Sequence, residues 1–266
     1  MEKHVLLDIL KKLAPGLSTQ DFTNPNAGMT AEIVSKVGIC VDPTGKNIEN
    51  AVKSGVEVLI TYHPLYDEVA PPAAVAVQKR QLQIWSLHEA WDNTGEGVIY
   101  TFAKDIGVTD LYSKGELVIG TTNTGFRFRE LIESCQRSLG QNILSYSGDL
   151  KQNVTKVAIW AGPGFLPNYR KFWELSLAEG CDTVLSSELT LSALRYSRMH
   201  RLKFIDLGHS LLAKPGMLHL MELLKDHAPA CSFQFLDDLY ACNYYTNCSF
   251  AEQFTEAEDI FFETEN

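Results

Sequence analysis

The sequence predicts an α/β fold, with mostly parallel sheet and flanking helices. Short runs rich in Val, Ile and Leu alternate with amphipathic stretches, a rhythm that makes βαβ units. The 266 residues are 45% apolar, enough for a core of ordinary size and for one large or two small domains. No apolar run reaches the ~18–20 residues of a membrane span, so a membrane partner is not expected.

The elements follow in order. MEKHVLLDILKKL places Val5, Leu6, Ile9, Leu10 and Leu13 at helical spacing and lacks the cleavage pattern of a signal peptide. The expected compartment is the cytoplasm. Residues 35–41 and 56–62 read as core strands with a helix over 47–54 between them. A helical stretch near 74–80 leads to a strand over 82–87, and a helix over 97–106 ends at Gly107. The second half repeats the rhythm: strand 156–160, helix 168–178 with Gly180 just past its end, strand 183–185, helix 189–199, strand 203–207. A helix over 215–226 follows, with Pro215 suited to its first turn, and a strand over 232–236 closes the series. Residues 1–111 are thus read as an N-terminal part, 112–150 as a connecting region and 151–266 as a C-terminal part completing the fold. The connecting region holds a helix over 128–137 and a strand near 142–146.

Charge and cysteines narrow the function. The net charge is −10, the opposite of the basic field that a phosphate-backbone binder shows, so nucleic acid is not an expected partner. The acidic residues gather in the tail, EQFTEAEDIFFETEN, whose end is expected to fray. Six cysteines without a CxxC pair read as buried free thiols of a reducing compartment.

Ligands of open α/β sheets collect at the carboxyl ends of strands. His63 follows strand 56–62, His88 to Asp92 (HEAWD) follows strand 82–87, and His209 follows strand 203–207. Imidazole and carboxylate together are the donor set of a hydrolytic zinc, iron or manganese site, where bound water gives hydroxide at neutral pH. The alternative is that each histidine is a separate hydrogen-bonded loop group. AGPG, Ala161 to Gly164, lies between a strand and a helix, as a phosphate loop would, but lacks the Walker lysine and reads as a tight turn. DPTG, Asp42 to Gly45, is also turn chemistry, although Asp42 too stands at a strand end.

Four stretches resemble, in order, segments of the Nif-three-like family, whose members are often called GTP cyclohydrolase I type 2 homologues. GICVDPTGKNIENAVKSGVEVLITYHPL is similar to the family's strand, turn, helix, strand and His-His-Pro-Leu segment. LHEAWDNTGEGVIYTFAKDIGV resembles its His-Thr-Asn-Leu-Asp segment and the helix after it. VAIWAGPG resembles its Gly-Gly-Ser-Gly strand exit, and FIDLGHSLLAKPG its Asp-x-Gly-His-x-x-x-Glu-x-Pro-Gly segment. The resemblance spans residues 4–236 and implies two α/β halves with a dinuclear metal site between them. It further implies a homo-oligomer, commonly a hexamer.

Carried across, the implied metal ligands are His63, Asp92 and His209. Two ligand positions depart: the first histidine of the pair is Tyr62 and the glutamate is Ala213. Three remaining donors suit one divalent ion, zinc, iron or manganese, with an open position for water, rather than two. Glu68, Glu89 and Glu188 are the carboxylates that would have to replace the missing one. The expected activity is metal-dependent hydrolysis, cyclohydrolase-like, of a small phosphorylated or cyclic substrate, with no catalytic residue assigned. The alternative is a non-catalytic binding or scaffold protein that has lost the dinuclear site.

Overall fold

The computed structural model describes residues 1–17, 22–23, 33–65, 82–92 and 94–242. The helical stretch expected near 74–80, Glu68, Cys248 and the acidic tail lie outside these residues. The described residues form an α/β fold of two sheets. In the first sheet, β2 (Lys36–Cys40), β3 (Val58–Thr61), β4 (Gln83–Ser86) and β11 (Ser232–Phe235) are parallel. Their order is β4-β3-β2-β11, with the short β1 (Phe22–Thr23) antiparallel at the edge beside β4.

The second sheet runs β5-β6-β8-β9-β10-β7. Its centre, β8 (Lys156–Ile159), β9 (Thr183–Ser186) and β10 (Lys203–Asp206), is parallel. Antiparallel strands flank that centre: the hairpin β5 (Thr109–Lys114) and β6 (Leu117–Thr121) on one side, β7 (Ser145–Ser147) on the other.

The eight α-helices among the described residues are α1 (Lys3–Leu13), α2 (Gly45–Lys53), α3 (Glu89–Asp92), α4 (Val98–Asp105), α5 (Phe128–Leu139), α6 (Arg170–Ala178), α7 (Leu191–His200) and α8 (His209–His227). Alternation along the strands sorts them into layers. Val37, Ile39 and Ile60 of the first sheet and Val157, Ile159 and Ile205 of the second share one core cluster with α1, α4, α5 and α8. That cluster therefore fills the space between the sheets. Leu59 and Ile84 turn the other way onto Ile48 and Ala51 of α2. Ala158 and Phe204 turn onto Phe172, Trp173, Ala193 and Tyr196 of α6 and α7. Cys40, Cys135 and Cys181 are buried free thiols, as expected, whereas Cys231 is half-buried and Cys242, past the last strand, is exposed.

Two readings of the sequence change. Residues 112–150 contain β6, α5 and β7, and so build the second sheet as well as link the halves. The hairpin was not legible because β5, TDLYSK, is an exposed edge strand without apolar alternation. The last long helix begins at His209, not at Pro215, which lies inside it. An interior proline costs about 3 kcal/mol in an isolated helix. Burial of Leu211, Leu212, Met217, Leu220 and Leu224 along the same helix outweighs that cost.

Gly216, beside that proline, is where α8 crosses α4. A Cβ there would stand 2.6 Å from the Val98 Cα, while the Gly216 carbonyl accepts a 3.2 Å hydrogen bond from the Trp91 indole. Gly216→Ala should therefore lower stability by about 1–3 kcal/mol in urea denaturation, despite alanine's better helix propensity. An unchanged midpoint would show that the helices separate freely.

Candidate functional site

Strand register brings the polar residues together. Cys40 pairs with Thr61 and Thr61 with Ser86 in the parallel ladder. Two residues on, Asp42, His63 and His88 therefore leave adjacent strands side by side. In the second sheet Asp206 pairs with Ser186, which sets Glu188 beside Gly208 and His209. The carboxyl ends of both sheets border one cleft of about 300 Å³. Tyr62, His88, Glu89 and Asp92 line it from the first sheet, and Trp160, Gly162, Tyr169 and His209 from the second. His88 and Glu188 hold φ of 32° and 67°, two of four non-glycine residues at positive φ among those described. Strain of this kind gathers where a site fixes its backbone.

Each residue read from the sequence has a definite place. Asp92 and His209 line the cleft. His63 is buried behind it, its ring centroid 5.0 Å from that of His209 and 4.7 Å from that of Tyr62. The His63 Nδ1 lies 2.6 Å from the Asp42 Oδ1, and the His209 Nδ1 lies 2.9 Å from the Glu188 Oε1. Each imidazole is thus held on its Nδ1 side by a carboxylate, which orients a ring. The Tyr62 hydroxyl donates to the Asp92 Oδ1 at 2.6 Å. Burial pushes the Asp92 carboxyl up from 3.8 to about 7, against the opposing effect of the Tyr62 hydrogen bond, and the Glu89 carboxylate adds to the rise. At neutral pH this group is therefore shared between acid and anion.

These donors do not fit the dinuclear centre that the resemblance implies. Among the described residues no three His, Cys, Asp or Glu side chains stand together as a metal-holding group. Tyr62 and Asp92, at two implied ligand positions, close on one another instead. Ala213, one helical turn beyond His209, is buried in the core and brings no oxygen. Glu188 reaches His209 as a hydrogen-bond partner, and Glu89 lines the cleft.

Sequence reasoning missed two parts. Asp42 was read as a turn residue; its role follows only from the pairing of β2 with β3. Trp160 and Tyr169, ring centroids 4.8 Å apart, form the aromatic wall, and no pattern in the chain marked them. The AGPG stretch is a closed turn. The Ser186 and Ser187 hydroxyls donate to the Gly162 carbonyl at 2.9 and 2.7 Å, and the Gly164 N–H is bonded to the Ser186 Oγ at 3.1 Å.

Comparisons with known proteins agree with the architecture. The sequence model of Duf34/NIF3, NGG1p interacting factor 3, matches residues 1–238. A "GTP cyclohydrolase 1 type 2 homolog" of Clostridium perfringens is 23% identical over 250 residues, covering 85% of this chain and 92% of that one. Its namesake from Nostoc is 25% identical over 210 residues, 72% of this chain and 78% of the relative. Among solved structures, reduced HcgD from Methanocaldococcus jannaschii superposes with a TM-score of 0.74 at 22% identity, over 90% of this chain and 98% of its own. Staphylococcus aureus protein SA1388 gives 0.75 at 14% identity, over 92% and 99%. At such identities the structural likeness shows the fold.

Proposed function

We propose, from the premise that this chain belongs to the Duf34/NIF3 family, that it is a binding protein for a small organic molecule. In this reading the cleft has exchanged a metal pair for a phenol–carboxyl pair. The observation that carries it is the 2.6 Å hydrogen bond from Tyr62 to Asp92. It occupies one oxygen of the carboxylate that a cation would need, and a carboxyl pushed up to about 7 holds a proton in competition with a cation at neutral pH. The described lining carries Glu89, Asp92 and Glu116 and no Lys or Arg, against flat faces from Trp160 and Tyr169. That lining suits an uncharged or cationic planar molecule better than a phosphorylated one.

Elemental analysis after dialysis against zinc, manganese and ferrous iron tests the reading. The expected content is below ~0.2 ions per chain, since two imidazoles alone fall short of an ordinary zinc site. A thermal-shift series pairing adenosine with AMP and guanosine with GMP should favour the unphosphorylated member of each pair.

A second reading has an observation of its own. Carboxylates on the Nδ1 of both His63 and His209 are the arrangement that orients metal-binding imidazoles. It predicts about one ion per chain, lost in His63→Ala and in Asp92→Ala. In that case the chain would be a metal-dependent hydrolase, and the binding proposal would be abandoned.

A further inference from the structure

The chain leaves β11 along the carboxyl end of the first sheet, where the Leu236 N–H still bonds to the Ile39 carbonyl. It then crosses the turn that holds Asp42. Asp238 is fixed four times over: Thr44 Oγ1 and Lys46 Nζ donate to its carboxylate at 2.7 and 3.1 Å, Asn47 Nδ2 donates to its carbonyl at 2.7 Å, and its N–H donates to Asn47 Oδ1 at 3.2 Å. Lys214 of α8 pairs with Asp237 at 2.7 Å. These bonds seat Tyr240 so that its backbone N–H donates to the Asp42 Oδ2 at 2.7 Å. The other oxygen of the same carboxylate holds His63. Asp42 is 1% exposed and His63 4%.

We infer that the segment 237–242 is a positioning element for His63, acting through Asp42. A carboxylate has only acceptors. With one oxygen taken by the Tyr240 N–H, the other faces the His63 Nδ1, which therefore donates to it. Without the Tyr240 bond the Asp42 carboxylate turns more freely about its side-chain bonds, and its hold on the His63 Nδ1 loosens. The role holds whichever small molecule the cleft takes, and therefore stands apart from the binding proposal.

Ring ¹⁵N spectra of His63 in the full chain, labelled at histidine, test it. The wild type should show Nδ1 as an N–H-type nitrogen. Tyr240→Pro removes the backbone donor and should move that shift away from the N–H type; Tyr240→Phe keeps that donor and should match the wild type. Asp238→Ala loosens the anchor from outside the site and should move the shifts in the same direction by a smaller amount. Unchanged shifts in a folded Tyr240→Pro variant would overturn the inference, as would an equal change in Tyr240→Phe. Should Tyr240→Pro fail to fold, Asp238→Ala decides, and wild-type shifts there count against it. None of these outcomes depends on metal content or on a ligand.

Discussion

Tyr62→His combined with Ala213→Glu should raise the metal content of this chain, expected under the binding proposal to be near zero, to about one divalent ion per chain. Residue 213 lies four positions after His209 in α8, hence on the same helical face. Tyr62 is already within hydrogen-bond reach of Asp92. The double change supplies an imidazole and a carboxylate at the two positions where this chain departs from the ligand pattern that its family resemblance implies. It also frees Asp92 from the phenol. A carboxylate at position 213 would be buried in the core, because Ala213 is only 1% exposed. Ala213→Glu alone is therefore expected to lose about 3–5 kcal/mol in the presence of a chelator. In the double variant, zinc or manganese at a hundred times the dissociation constant should return about 2.7 kcal/mol. The measurement is a pair of melting curves, with EDTA and with metal, beside elemental analysis. A double variant that gains neither ions nor a metal-dependent melting temperature would show that the backbone of the cleft, and not these two side chains, excludes the cation.

Asp92→Asn should stabilise the protein above neutrality. The Asp92 carboxyl rises from 3.8 to about 7 in the folded chain, chiefly through burial. Below pH ~4 the carboxyl is protonated both folded and unfolded, so it adds no pH dependence. Between ~4 and ~7 the unfolded chain ionises while the folded chain keeps its proton, and stability falls as pH rises. Above about pH 7 the loss is complete, and amounts to about 2–4 kcal/mol. Asparagine does not titrate, and its carbonyl can still accept the Tyr62 hydrogen bond. The advantage of the variant should grow from nearly nothing at pH 4 to its full size at pH 8, read by urea denaturation at several pH values. If the wild type is as stable as Asp92→Asn at pH 8, Asp92 is an anion held by a cation, and the metal reading gains. The same variant thus bears on the function as well as on the fold.

Much of the architecture was legible before any coordinates. The parallel strands β2, β3, β8, β9 and β10 are buried apolar runs, and runs of this kind between amphipathic stretches specify βαβ units. The placing of His63, Asp92 and His209 at strand exits is also sequence information, since strand direction follows from the crossover helices. The hairpin β5–β6 and the true start of α8 were not legible. An exposed edge strand has no apolar period, and the penalty of an interior proline is overcome only by packing from other parts of the chain.

Local periodicity and motif order are properties of neighbouring residues, so a family, an α/β chain and a rim of polar groups at strand ends were readable from the chain. The tertiary structure alone decided how those groups are used. Asp42 reaches His63 across a gap of 21 residues, Tyr62 reaches Asp92 across 30, and the Tyr240 backbone reaches Asp42 across 198. A hydrogen bond is a matter of tenths of an ångström, and only the packing of two sheets around a shared core sets distances that finely between residues so far apart in the chain.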